Sequence, residues 1–140
     1  MVTIREKALE FKRVKDAQAT SERQRQALIE DLLASLEKRV EAEIDLLQAS
    51  NLRVICERGW KPRVGLYICQ MPDGSIPQED WIEGALCCGV WAAYDDLRFN
   101  VINAKTGEYL DERVFAFSCS VDEVWNYLVG AVCEKFEIAV

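Results

Sequence analysis

Apolar residues recur at Ile29, Leu33, Leu36, Val40, Ile44 and Leu47, at steps of 4, 3, 4, 4 and 3. That spacing lines one face of a helix. Leu28 and Leu32 widen the stripe, and Glu30, Asp31, Glu37, Lys38, Glu41 and Asp45 fill the other face. A weaker stripe of Ile4, Ala8, Phe11 and Val14 precedes it, on a basic stretch with Arg5, Lys7, Lys12, Arg13 and Lys15. Neither glycine nor proline occurs from Met1 to Arg58, so residues 1–50 are expected to be helical, possessing good helix formers and no strong breaker. Gln18 to Gln26 is polar with no apolar face, and Ser21 with Gln24 fits a capping box. Two helices, or one with a weak joint at Thr20-Ser21, are therefore expected, the stronger from about Glu22 to Ala49.

Beyond residue 50 the period shortens. Leu52 to Glu57 and Val64 to Gln70 read as strands, with turns at Gly59-Trp60-Lys61-Pro62 and Pro72-Asp73-Gly74. Leu86 to Tyr94 is apolar throughout, as a central strand covered on both faces would be. The alternative is a helix beginning near Pro77, which Gly84 and Gly89 disfavour. Leu97, Phe99 and Val101 alternate with Arg98 and Asn100, the pattern of a half-buried strand. Lys105-Thr106-Gly107 makes a hairpin turn, and the return strand includes Val114 to Ser118. Ser120 and Glu123 form a capping box before Val121, Val124, Trp125, Leu128, Val129, Val132 and Phe136 at helical spacing. The predicted fold is α+β. A long N-terminal helical segment (residues 1–50) precedes a small globular domain (residues 51–140) with an antiparallel sheet of four or five strands and a C-terminal helix packed on it.

Length gives the helix a consequence. About 28 residues extend about 42 Å, whereas 90 residues form a body roughly 30 Å across. The helix is expected to overhang, and its stripe must meet the first helix folded back, a second copy or another protein. Self-association is favoured over an intramolecular hairpin, because residues 18–26 are a long connection for a tight one.

Composition narrows the chemistry. A net charge of -7 and half the residues apolar describe an acidic chain with an ample core, one poorly suited to duplex nucleic acid, which needs clustered Lys and Arg. No apolar run approaches the roughly 20 residues of a membrane span, and the N-terminus lacks the apolar core of a signal peptide, so a cytoplasmic protein is expected. The six cysteines include no C-x-x-C and are read as buried small hydrophobes rather than zinc ligands. Histidine is absent, which removes Ser-His-Asp and Cys-His mechanisms.

Short motifs lead no further. Gly84 and Gly89 have phosphate-loop spacing, but Val90 and Trp91 stand where Lys and Ser or Thr are needed. Ser35-x-x-Lys38 and Lys105-Thr106-Gly107 echo penicillin-recognising enzymes without the Ser-Asp-Asn element. Cys87 and Cys88 would point to opposite faces of a strand. Glu79-Asp80, Asp95-Asp96 and Asp111-Glu112 lack calcium-loop spacing and read as solvated charge. Trp60 and Trp81, beside turns, are candidate binding anchors.

The resulting expectation is a non-enzymatic, cofactor-free acidic protein of adaptor, chaperone or inhibitor type. It would bind another protein and dimerise through Ile29, Leu33, Leu36, Val40, Ile44 and Leu47. One alternative is a small-ligand binder or thiol enzyme with a pocket between sheet and helices, lined by Trp91, Tyr94, Phe115 and Phe117, with Cys87 or Cys119 as the thiol. Another is a regulator of a nucleic-acid enzyme, using Asp95, Asp96, Asp111 and Glu112 as phosphate mimics.

Overall fold

The computed structural model describes residues 1–57, 65–77, 84–93, 96–116 and 118–140. Helix α1 (Ile4–Glu41) leads through the short helix α2 (Ile44–Ala49) into five strands: β1 (Arg53–Glu57), β2 (Gly65–Gln70), β3 (Leu86–Ala92), β4 (Leu97–Asn103) and β5 (Glu108–Phe115). Helix α3 (Val121–Lys135) completes the fold. The strands form one antiparallel sheet in chain order, β1-β2-β3-β4-β5. The architecture is the expected α+β arrangement, with β3 as the central strand.

The joint expected at Thr20-Ser21 does not form. Helix α1 starts on a capping box, in which Thr3 Oγ1 accepts from the Glu6 backbone N–H at 3.2 Å and Glu6 Oε2 accepts from the Thr3 N–H at 3.4 Å. It then runs unbroken for 38 residues. Thr20 stays helical by donating its hydroxyl back to Asp16 O at 2.9 Å, an outlet open to Ser and Thr inside helices. The break comes later, at Ala42 and Glu43, where Glu43 leaves helical geometry (φ -115°, ψ 16°) and α2 begins.

Asn51 ends α2 with φ 61°, a left-handed conformation that Asn tolerates better than most residues. The Asn51 N–H donates to Gln48 O and the Leu52 N–H to Leu47 O, both at 3.0 Å, which satisfies carbonyls the helix leaves open. Ser50, buried beside it, ties three elements together. Its hydroxyl donates to Leu46 O at 2.8 Å and accepts from the Ala139 N–H at 2.9 Å, while its carbonyl accepts from Gln70 Nε2 at 3.2 Å.

Strand alternation divides the sheet into two faces. Leu66, Ile68, Cys88, Val90, Phe99 and Val101 point to the inner face. There Leu33, Leu36 and Val40 of α1, Leu47 of α2, and Val124, Leu128 and Val132 of α3 cover them. Ile55, Tyr67, Cys69 and Cys87 form a second buried cluster on the outer face, with Met71, Trp91 and Ile102 packed against it. Burial on both faces is why β3 reads as a continuous apolar run. Strand β5 begins at Glu108, directly after the Gly107 turn (φ 74°) and earlier than its apolar residues suggest.

Candidate functional site

The structure brings together most of the stripe expected at an interface, but inside the chain's own core. Leu33, Leu36, Val40 and Leu47 are 4, 0, 2 and 7% exposed, and Ile29 packs on the same cluster. Ile44, half-buried, opens α2. The sheet's inner face needs an apolar cover, and this stripe supplies it together with α3. Trp60 and Trp81 lie outside the described residues.

What remains uncovered is the first half of α1. Residues 1–24 are all exposed. Residues 4–24 are a projecting rod of about 32 Å at 1.5 Å per residue. Ile4, Phe11 and Val14 are 90, 64 and 50% exposed. Ile4, Phe11, Gln18, Arg25 and Leu32 follow at seven-residue intervals, so the tip's apolar residues continue the face that α1 buries further along. Residues 1–15 hold five basic residues against two acidic ones, a net +3, which leaves -10 on the rest of the chain. Arg5, Lys12, Arg13 and Lys15 make no ion pair among the described residues, whereas Lys7 pairs with Glu10 at 3.4 Å.

The outer sheet face is the second candidate. Two glycines allow close approach there: a Cβ at Gly89 would overlap the Tyr67 ring, and one at Gly65 would lie 2.7 Å from Val90 O and 2.9 Å from Trp91 Cβ. Registers place Trp91, Arg98 and Val114 in one cross-strand row and Gly89, Asn100 and Glu112 in the next. A depression of about 180 Å³ lies over these residues. Arg98 stacks 5.8 Å over Trp91 and pairs with Asp96 at 3.2 Å. Asn100 is only 6% exposed, and its buried Oδ1 has no hydrogen-bond partner among the described residues. The alternation pattern assigned Asn100 to a solvated face, and its burial was not legible there. A low strand-propensity residue inside a strand is the signal that marks it.

Three of the six thiols are held away from the thiolate form. Cys69 and Cys87 are cross-strand partners and fully buried. The hydrogen bond to Cys87, and then burial, push the Cys69 thiol up. Burial, followed by the charge of Cys87, pushes Cys88 up to about 12. Desolvation raises Cys119, and Cys56 and Cys133 are exposed. A thiolate nucleophile needs the opposite shift.

The pocket expected between sheet and helices is not assembled from the described residues. Trp91 packs with the outer cluster and Phe115 with the inner one, and Tyr94 and Phe117 lie outside the described residues. The groove present there, about 90 Å³ with Val40, Leu46, Trp125 and Val129 in its lining, is far smaller than the ~300 Å³ at which ligand pockets begin. Ser35 donates its hydroxyl to Asp31 O at 2.9 Å. Asp111 accepts from the Tyr127 hydroxyl at 3.2 Å. With Arg113 stacked 4.6 Å over the Tyr127 ring, this contact pins α3 to β5. Desolvation, reinforced by Asp111, raises the Tyr127 pKa. Asp95 and the Glu79-Asp80 pair lie outside the described residues, among which no cluster of three metal-ligating side chains occurs. No helix is long and apolar enough to cross a membrane among the described residues.

The fold is a meander sheet covered on one face by a projecting helix and a C-terminal one. No family model, curated protein or solved structure matches the chain.

Proposed function

We propose that this chain is a non-enzymatic cytoplasmic protein that acts by protein–protein binding, with residues 4–24 of α1 as its docking element. The observation that carries the reading is the exposed face of Ile4, Phe11 and Val14 on a helix whose other half is locked into the core. Most helical stability in proteins comes from tertiary packing, which residues 4–24, all exposed, do not make. Continuity with the buried half holds them in shape, so a partner meets a preorganised surface and ordering costs less on binding. The absence of histidine and the raised thiols support a role without catalysis, and six cysteines outside any disulfide suit a reducing compartment.

The test compares the full chain with Ile4→Asp/Phe11→Asp/Val14→Asp in capture from the native host, followed by titration with the purified captured protein. All three positions are exposed, so the variant should melt within a few degrees of the parent. Loss of binding with an unchanged melt is expected. A partner held equally by both would refute the assignment of the docking element.

The buried, unpartnered Asn100 Oδ1 favours a second reading, a small-ligand site on the outer sheet face. A ligand would have to displace side chains to reach it and would supply a hydrogen-bond donor. Stabilisation by a compound in thermal-shift screening, abolished in Asn100→Ala, is the result this reading requires.

A further inference from the structure

We propose that the projecting half of α1 docks on the outer face of strand β5 of a second copy of this chain. The inference rests on α1 being the docking element and names its occupant. Strand β5 is an edge strand, paired on one side only with β4. Tyr109, Leu110 and Val114 on it are 47, 44 and 57% exposed. Glu112, on the same face between Tyr109 and Val114, is exposed and makes no ion pair among the described residues. Exposed apolar residues on an edge strand are a liability that proteins normally cover.

The two surfaces are complementary. The helix tip presents Ile4, Phe11 and Val14, with Lys7 among them and Lys15 at the edge of the face on the helical wheel. The outer face of β5 presents an apolar patch that holds the Glu112 carboxylate. Ile4 to Val14 spans about 15 Å of helix, within the roughly 25 Å length of an eight-residue strand. Charge chooses between the ways two copies could meet. Tips carrying +3 repel each other, while a tip is attracted to the rest of another copy at -10. The chain's own tip cannot serve, because α1 is continuous from Ile4 to Glu41 and carries it away from the body. Helix-to-strand contact is heterologous, so two copies that dock reciprocally close as a dimer, and copies that do not close extend into longer assemblies.

Analytical ultracentrifugation of the full chain from 1 to 200 µM tests this, at low salt and at 1 M salt. Self-association is expected, weakening at least tenfold at 1 M, where the screening length is about 3 Å. Lys7→Glu/Lys15→Glu and Glu112→Lys should each weaken it at least tenfold, and the three substitutions in one chain should restore it. Association that responds to the strand substitution but not to the helix pair would mean that β5 edges pair with each other, and would overturn the proposal. So would helix-dependent association without charge-swap rescue. A monomer at every concentration overturns the second-copy assignment but leaves the docking role of α1, which the aspartate variant and capture experiment decide separately.

Discussion

Leu36→Ala tests whether the strong stripe of α1 belongs to this chain's own core. Leu36 is fully buried on the inner sheet face, among α1, β2 and α3 side chains. Truncation removes the transfer free energy of the lost methyl and methylene groups and leaves a cavity that the covered sheet closes only partly. Such changes cost about 2–5 kcal/mol, and a site walled by a helix on one side and strands on the other belongs near the middle, at about 3 kcal/mol. With a urea m-value of about 1.5–2 kcal/mol/M, the midpoint should fall by roughly 1.5–2 M. The control is Phe11→Ala on the same helix, an exposed site where less than about 0.5 kcal/mol is expected. Urea unfolding followed by far-ultraviolet circular dichroism, at two protein concentrations tenfold apart, makes the measurement. A Leu36→Ala midpoint within 0.3 M of the parent would refute the packing described. A cost that appears only at the higher concentration would do so too, because it would place Leu36 against another chain.

Three further outcomes follow from the sheet. With a maleimide at neutral pH, Cys56 and Cys133 should label in the native protein, while Cys69, Cys87 and Cys88 should wait for denaturant; rapid native labelling of Cys69 or Cys87 would show the outer face to be open. Gly89→Ala should destabilise by about 2 kcal/mol, the middle of the overpacking range, and much less in a Tyr67→Ala background, because the new methyl meets the Tyr67 ring; equal costs in the two backgrounds would contradict that contact. Cys88 holds its proton in the folded state up to about 12, against 9.0 for the free thiol. Its contribution is therefore fully present below pH 9 and is lost as pH rises towards 12. The slope is about 1.4 kcal/mol per pH unit for one proton, and Cys88→Ala should flatten the alkaline limb of a pH–stability profile.

Much of the fold was legible because local signals and tertiary demands agree. The Ser120 cap, the Gly107 turn and the alternation in β4 each specify an element without help from distant residues. The joint in the N-terminal segment was placed wrongly because a polar run shows only that no core covers a helix there; Thr20 can satisfy its hydroxyl within the helix. The actual break at Ala42 and Glu43 has no punctuating residue. The covering of the Leu33–Leu36–Val40 stripe was not legible either, since periodicity identifies an apolar face but not its partner, and the inner sheet face competes for it. Gly65 and Gly89 gave a signal that went unused: glycine inside a strand marks close approach, and here the Val90 carbonyl with Trp91 Cβ and the Tyr67 ring are what approach. Asn100 was misplaced because alternation treats every polar position as solvated.

The unbroken course of α1 also makes the chain sensitive to phase. Because one backbone serves both halves, the direction in which Ile4, Phe11 and Val14 point is fixed by the packing of Leu33, Leu36 and Val40. A single residue inserted between Gln18 and Glu22 would leave the body intact yet swing the tip by about 100° around the axis, while seven would return it to within about 20° of its heading. Length changes in that polar run are therefore quantised: whole pairs of turns alter reach, and anything else alters aim.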